Sequence, residues 1–320
     1  MMHRTPFLSV ALAAAFVLSA NADDSVARIA AWNVASGRSN TGGTPIPAER
    51  IARLGKVIAE KVKPDVMVLE EVWPADAAKD IAAESTKDGF PLEAVQIPVE
   101  GAGVVQLVSM IKRPGVEVSD VELIPGSEDL LEGDQPEEKS SRKAVLGKVK
   151  VGKFDFYLIG VHLKSKLVVK GVEQTPLQMR DRQLKNIATR IDTLLKGPEK
   201  DLLMIGDYNM TPKGEEPAGE QDDDQNFHTL NASGQLRFLS SEVKGATHMG
   251  YYRGEVHRSK LDGYAIAKGT EKEYRKDSFH ILDYTALGVQ EEQFTDKRRA
   301  DFLSDHYPIV AEFNTTEDDD

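Results

Sequence analysis

The sequence predicts an α/β fold in which two packed, mixed β-sheets are covered on their outer faces by helices. Three observations carry this. Short apolar runs suited to strands outnumber the helical stretches, the helices stand apart from one another, and no internal repeat or linker divides the chain. At 320 residues, with 40% hydrophobic and 29% charged residues, the chain is long enough to bury a sizeable core as one domain. The expected boundaries are a leader over 1–22, one domain over 23–316 and an acidic tail over 317–320.

The leader has three parts. His3 and Arg4 give a short positive start, Phe7 to Ala20 runs apolar, and Ala20-Asn21-Ala22 precedes Asp23-Asp24. This is the pattern of a secretory signal peptide cleaved after Ala22, so a periplasmic or secreted protein is expected. The apolar run is short of the roughly 20 residues that span a bilayer, and nothing later is longer, so no stable membrane association is expected. There are no cysteines, hence no disulfide scaffold. The net charge is −12, and loss of Arg4 makes it one unit more negative. That argues against tight, nonspecific wrapping of nucleic acid, although a catalyst needs only a local basic groove.

Within the domain, Val26–Trp32 reads as the first strand, and the Gly/Ser/Thr-rich stretch 36–44 leads to a helix. Ile51, Leu54, Val57 and Ile58 recur there at helical spacing, and Lys63-Pro64-Asp65 stops it. Val66–Leu69 is a continuous apolar run suited to a buried strand. Leu92–Ile97, Val104–Ile111, Val116–Leu123, Ala144–Val151 and Phe154–Val161 follow, the last two joined by the hairpin signal Gly152-Lys153. Pro176 to Leu195 reads as a long helix with Leu184, Ile187, Ile191 and Leu194 on one face. Leu202–Ile205, Leu261–Ala267 and Ile309–Phe313 complete the strands. Gly126–Ser141 and Gly214–Gln225 read as acidic surface loops.

Polar side chains recur where strands begin or end. Asn33 closes the first strand and Glu70-Glu71 the second. His162 closes the stretch ending at Val161, and Asp207 and Asn209 follow Ile205. Asp262 heads one strand, and Asp305-His306 precede the last. Ending buried strands in carboxylate, amide and imidazole is costly unless those groups meet something. Each has an ordinary structural reading as well: a strand-end histidine can bond backbone, Asp207 and Asn209 can form an Asx turn, and Asp262 before Gly263 can belong to a hairpin. An oxygen-rich set with two imidazoles and no thiolate favours a hard cation, Mg²⁺ with Mn²⁺ or Ca²⁺ as alternatives. Such an ion beside His and Asp suits phosphoryl transfer.

The motifs P-D-V-M-V-L-E-E-V, V-H-L-K-S-K, I-G-D-Y-N-M-T-P, S-K-L-D-G-Y and S-D-H-Y-P-I-V, with Trp32-Asn33, resemble the endonuclease/exonuclease/phosphatase superfamily in order and spacing. The resemblance spans Val26 to Phe313 and implies a four-layer sandwich. It also implies roles: Asn33, Glu71 and Asp305 at the metal, with Asp207 positioning or deprotonating the attacking water. His162 and Asn209 would hold phosphoryl oxygens, and Asp262 would orient His306. The family often writes L-Q-E where this chain has Leu69-Glu70-Glu71, which implies added negative charge near the metal. Ala35 stands where some abasic-site enzymes carry Asp.

Lys164, Lys166, Lys170, Arg180 and Arg182 form the basic concentration near the motifs, readable as a phosphate track or as a solvated face. Of these, Lys164 and Arg182 are taken as substrate-binding candidates, with Arg142, which resembles an arginine that family nucleases place near the site. His248, Tyr251, Tyr252, Arg253 and His257 precede Asp262 and either meet substrate or pack. The expected function is an exported phosphodiesterase acting on nucleic acid, similar to the bacterial extracellular-nuclease branch. A phospholipid or inositol-phosphate substrate is the alternative, disfavoured because Trp32 and Trp73 lie in or beside core motifs. A noncatalytic binding relative ranks last, since no catalytic position is lost.

Overall fold

The structure, a computed structural model, describes residues 25–35, 45–74, 76–99, 105–128, 140–168, 173–215, 223–252, 255–295 and 302–318. The leader, Lys170, Arg253 and residues 319–320 lie outside them. In chain order the strands are β1 (Val26–Asn33), β2 (Val66–Glu70), β3 (Glu93–Ala94), β4 (Val105–Gln106), β5 (Ser109–Lys112), β6 (Glu117–Leu123), β7 (Ser140–Ser141) and β8 (Val145–Val151). Then come β9 (Phe154–His162), β10 (Leu202–Asp207), β11 (Leu236–Phe238), β12 (His248–Tyr252), β13 (Glu255–Ser259), β14 (Asp262–Ala267), β15 (His280–Ile281) and β16 (Ile309–Asn314). The helices are α1 (Ala48–Val57), α2 (Ala77–Lys87), α3 (Pro176–Leu194), α4 (Asp224–Leu230), α5 (Tyr284–Leu287) and α6 (Glu292–Thr295).

Two six-stranded sheets form the centre, with orders β15-β16-β1-β2-β5-β3 and β11-β14-β10-β9-β8-β6. Both are mixed. The ladders β1–β2 and β9–β10 are parallel, and their other neighbours run antiparallel. Period-two alternation then sorts the apolar residues into layers. Val66 and Val68 of β2 meet Phe156, Leu158 and Ile205 of the other sheet, while Met67 and Leu69 point outward to Leu54, Ile58 and Ile81 beneath α1 and α2. In the second sheet Leu202 and Met204 face outward onto Leu184, Ile187 and Ile191 of α3. Three apolar layers between helix, sheet, sheet and helix make the four-layer α/β sandwich. Each fully buried Leu, Ile, Val or Phe adds roughly 1.5–3 kcal/mol.

Local chemistry sets the joints. Lys63 adopts a left-handed φ of 48° and its N–H closes on Ile58 O at 2.8 Å, ending the helix before Pro64. Thr175 and Gln178 form a reciprocal capping box at the start of α3, with Pro176 at its first turn. Helix α2 goes unread in the sequence because it buries mostly small residues, Ala77, Ala78, Ala82 and Ser85 around Ile81. Those small residues permit a close approach to α1: a Cβ on Gly55 would lie 2.5 Å from Glu84 Cβ.

The expected strand Leu92–Ile97 reduces to Glu93–Ala94, because its partner β5 is only four residues long and the segment runs into Pro98. Val104–Ile111 divides into β4 and β5. The loop expected to end at Gln225 instead enters α4 at Asp224, and β12 and β13 form a hairpin where irregular chain was expected. No helix among the described residues is long and apolar enough to cross a membrane.

Candidate active site

Strand register assembles the cluster. In the second sheet Asp207 stands opposite His162 on β9 and opposite Asp262 on β14, so three strand ends present three functional groups in one row. In the first sheet Asn33 pairs with Glu70, which sets Glu71 at the parallel edge. The two sheets meet through Asn33, whose Nδ2 donates to Asp207 Oδ2 at 3.1 Å and lies 3.4 Å from Glu71 Oε1. His162 Nε2 is 3.5 Å from Asp207 Oδ2 and 3.8 Å from Glu71 Oε1. Arg142 donates to that same Nε2 at 3.2 Å, which requires the proton of His162 on Nδ1.

The backbone is strained here. Ala35, Glu71 and Asn209 hold φ of 46°, 54° and 50°, a left-handed region that non-glycine residues seldom occupy. Asn209 turns sharply enough for its N–H to reach Asp207 Oδ1 at 2.9 Å, and its Nδ2 donates to Leu163 O.

His306 is clamped in place. Its Nδ1 is 2.8 Å from Asp262 Oδ2, and its Nε2 is 3.9 Å from Asp207 Oδ2. Its carbonyl accepts from Trp32 Nε1, and its N–H bonds Ser304 Oγ, which in turn donates to Asn33 O. Thr247 Oγ1 receives the N–H groups of Leu261 and Asp262, fixing the other half of the pair. Burial opposes charge on His306, but Asp262 and Asp207 outweigh it and hold the imidazolium up to about 10. Burial pushes Asp207 up to about 7, Asp262 adds to the rise, and His306 opposes it.

Two residues that the sequence does not single out, one buried and one partly exposed, belong to the same neighbourhood. Arg50 of α1 is 1% exposed, donates to Ala35 O at 3.0 Å and lies over the Phe302 ring. Burial lowers it to about 10, while Asp305 and Glu71 hold its charge. A cation on the buried face of an amphipathic helix is the signal that could have found it. His248, set aside in the sequence as one of several loop residues, brings its Nε2 to 3.6 Å from Asp305 Oδ2.

Three sequence expectations are corrected. Glu70 is fully buried with neither oxygen hydrogen-bonded, and burial first, then Asp262 and Asp207, raise its carboxyl well above the usual range, which opposes the negative charge expected of it. Lys164 is 7% exposed and its ammonium turns back onto Ser165 and Leu167 of its own loop. Arg182 lies on the outer helix α3, where its carbonyl accepts from Asn186, and no described contact brings it to the strand ends. The rest of the basic run is fastening. Arg180 Nη2 donates to Asp223 Oδ1 at 2.6 Å and its Nη1 to Lys164 O, while Lys166 bonds Asp223 and Thr211.

A divalent cation fits these residues. Glu71 and Asp305 offer carboxylates, which are hard oxygen donors, while Asn33 turns its amide Nδ2 to Glu71 and Asp207 and its Oδ1 to Ala35 N; the buried acids Asp207, Asp262 and Asp305 exceed the positive charge that His306 and Arg50 set against them. The ligand atoms of Asp207, Asp262 and His306 also lie within 4.8 Å of one another.

No protein-family model matches the sequence, and no curated protein matches it significantly. Solved structures do resemble it. A 3′ phosphatase NExo from Neisseria, bound to a product DNA hairpin, superposes with a TM-score of 0.59 at 17% identity, over 90% of this chain and 99% of that one. TDP2 from D. rerio with a single-strand DNA product gives 0.57 at 17%, over 91% and 100%. An endonuclease/exonuclease/phosphatase from Bacteroides vulgatus gives 0.58 at 14%, over 90% and 98%. The chain therefore has the fold of the endonuclease/exonuclease/phosphatase superfamily.

Proposed function

We propose that this chain is an exported, divalent-metal-dependent phosphodiesterase that hydrolyses nucleic acid. The observation that carries the reading is the convergence of Asn33, Glu71, His162, Asp207, Asp262 and His306 from two sheets onto one end of the sandwich. Two of the similar structures hold DNA products, which supports nucleic acid as the substrate class. The expectation of export rests on the sequence of residues 1–22.

In this reading Asp207, poised near neutrality, accepts a proton from the water that attacks phosphorus. His306, kept positive by Asp262, stabilises charge on the phosphoryl oxygens as the ester oxygen leaves. Asn209, His162 and Arg142 line the oxygens on the other side. Glu71 and Asp305, with Asn33 once its amide turns Oδ1 toward them, would hold the cation, which when bound neutralises phosphoryl charge and orients the ester. Leu167 and Val168, each 76% exposed just beyond the H-L-K-S-K stretch, are the structural argument for a phospholipid substrate instead.

The test is hydrolysis of plasmid DNA, RNA, sphingomyelin and a phosphoinositide with Mg²⁺, Mn²⁺, Ca²⁺ or EDTA. The expected result is metal-dependent cleavage of nucleic acid that falls by at least about 10²-fold in Asp207→Ala and His306→Ala. Cleavage confined to the lipid or the inositol phosphate would overturn the substrate. No hydrolysis by folded protein would overturn the enzyme reading.

A further inference from the structure

We propose that His248, Asp305 and His306 form a binding site for a transition-metal cation of the Zn²⁺ or Co²⁺ class, which shares Asp305 with the oxygen-donor site at Glu71 but draws its nitrogen ligands from His248 and His306. The site is built by the β12–β13 hairpin. His248 opens β12 and pairs with Ser259, while its other edge is stitched to the segment before β16: it bridges His306, Met249 N donates to Asp305 O, and Tyr307 N donates to Thr247 O. These bonds place one imidazole from the hairpin beside the carboxylate and imidazole of the following segment. The ligand atoms of all three lie within 4.8 Å of one another.

Ring orientation supports the assignment. His248 Nδ1 is 3.1 Å from Ser259 Oγ, which turns Nε2 toward Asp305 Oδ2 at 3.6 Å. Asp262 occupies Nδ1 of His306, which leaves Nε2 to ligate on release of its proton as the cation binds. Ligating histidines characteristically have their second nitrogen held in this way, which fixes tautomer and ring angle. The rings are tilted at 56° with centroids 4.7 Å apart, so the pair converges rather than stacks. Zn–N and Zn–O bonds of about 2.0–2.2 Å set neighbouring tetrahedral ligand atoms roughly 3.4 Å apart, close to the separation found between His248 and Asp305. Two imidazoles and one carboxylate select a borderline cation over Mg²⁺ and leave a coordination position open. His248 keeps a fifth of its side chain exposed, which gives the cation a route in.

Occupancy ties up His306 Nε2, so bound Zn²⁺ lowers turnover. That consequence rests on the hydrolase reading above, whereas the binding itself does not. The test is titration of the tag-free protein with Co²⁺ in excess Mg²⁺, read by visible absorption, and Zn²⁺ affinity by competition with a chromophoric chelator. One Co²⁺ per chain with intense ligand-field bands, displaced by Zn²⁺, is expected for the wild type and for Glu71→Gln. His248→Ala loses the bands. Ser259→Ala, which keeps all three ligands, weakens Zn²⁺ about 10–100-fold. Circular dichroism establishes that each variant is folded. Undiminished binding in His248→Ala, or in Ser259→Ala should His248→Ala not fold, overturns the site. So does loss of the bands in Glu71→Gln, which would place the ion at the oxygen donors. These readouts hold whether or not the protein hydrolyses any phosphodiester.

Discussion

Replacing Arg180 with methionine should destabilise the protein by about 3–5 kcal/mol, although the residue lies on α3 and has no part in the chemistry. Arg180 is 2% exposed and makes three bonds, to Asp223 Oδ1 at 2.6 Å, Asn226 Oδ1 at 3.1 Å and Lys164 O at 3.1 Å. Methionine fills much of the volume but leaves the Asp223 carboxylate fully buried with only Lys166 and the Thr211 N–H as partners. Breaking one side of a buried pair carries that cost, whereas an exposed pair contributes only about 0.2–1 kcal/mol. The partial exposure of Lys166 and its remaining bond favour the lower end, about 3 kcal/mol. With an unfolding entropy of about 2.1 cal/mol/K per residue, a domain of this length should lose roughly 5 °C in Tm. Thermal melts of wild type, Arg180→Met, Asp223→Asn and the double variant would measure it. Near-complete coupling is expected, with the double variant little worse than either single one. Additive losses, or a loss below about 1 kcal/mol in Arg180→Met, would refute the argument that this pair fastens the H-L-K loop to the D-Y-N loop.

Two further outcomes follow from buried charge. Burial raises the Glu70 carboxyl well above its ordinary range in the folded chain, whereas the unfolded chain ionises it above about pH 4.3, so it lowers stability as pH rises. Glu70→Gln should therefore gain on the wild type by about 1.4 kcal/mol per pH unit from pH 5 upward in EDTA; a constant difference in urea midpoints between pH 5 and 7 would sink the idea. His306 has a raised pKa, so its charged form contributes stability fully present below its unfolded value of about 6.5 and lost as pH rises through about 10. Ring NMR should show His306 protonated at pH 7.5, and Asp262→Asn should move its titration below neutrality, because burial then acts with less opposition.

The fold was legible because large apolar residues mark their layer by period. Val66–Leu69 and Leu202–Ile205 read as buried strands, and Leu184, Ile187 and Ile191 as a helix face, from spacing alone. Helix α2 and the β12–β13 hairpin escaped for opposite reasons: one packs through alanine and serine, the other through backbone pairing that leaves much of β13 exposed. The strand-end polar residues were equally legible as a set, since a carboxylate closing an apolar run has nowhere to go but a site or a solvated edge. Their mutual distances were not. Those depend on the registers Asn33↔Glu70 and Asp207↔His162, which pairing across tens of residues decides. Lys164 and Arg180 show the converse limit, because nearness in sequence to a motif says nothing about which way a long side chain turns.

That distinction also resolves how a chain of net charge −12 could take an anionic substrate. The positive groups that matter are few and mostly buried: Arg50 beneath Asp305 and Glu71, His306 against Asp262, and Arg142 on His162. Each stands within a cluster of carboxylates, where low local dielectric strengthens its field far beyond that of a surface lysine. An acidic exterior offers no long-range pull on a polyanion and assists its release, so on the proposed reading binding comes from these groups together with a cation on the oxygen donors. Removing the cation should therefore weaken substrate binding as well as turnover, a link that a broad basic surface would not create.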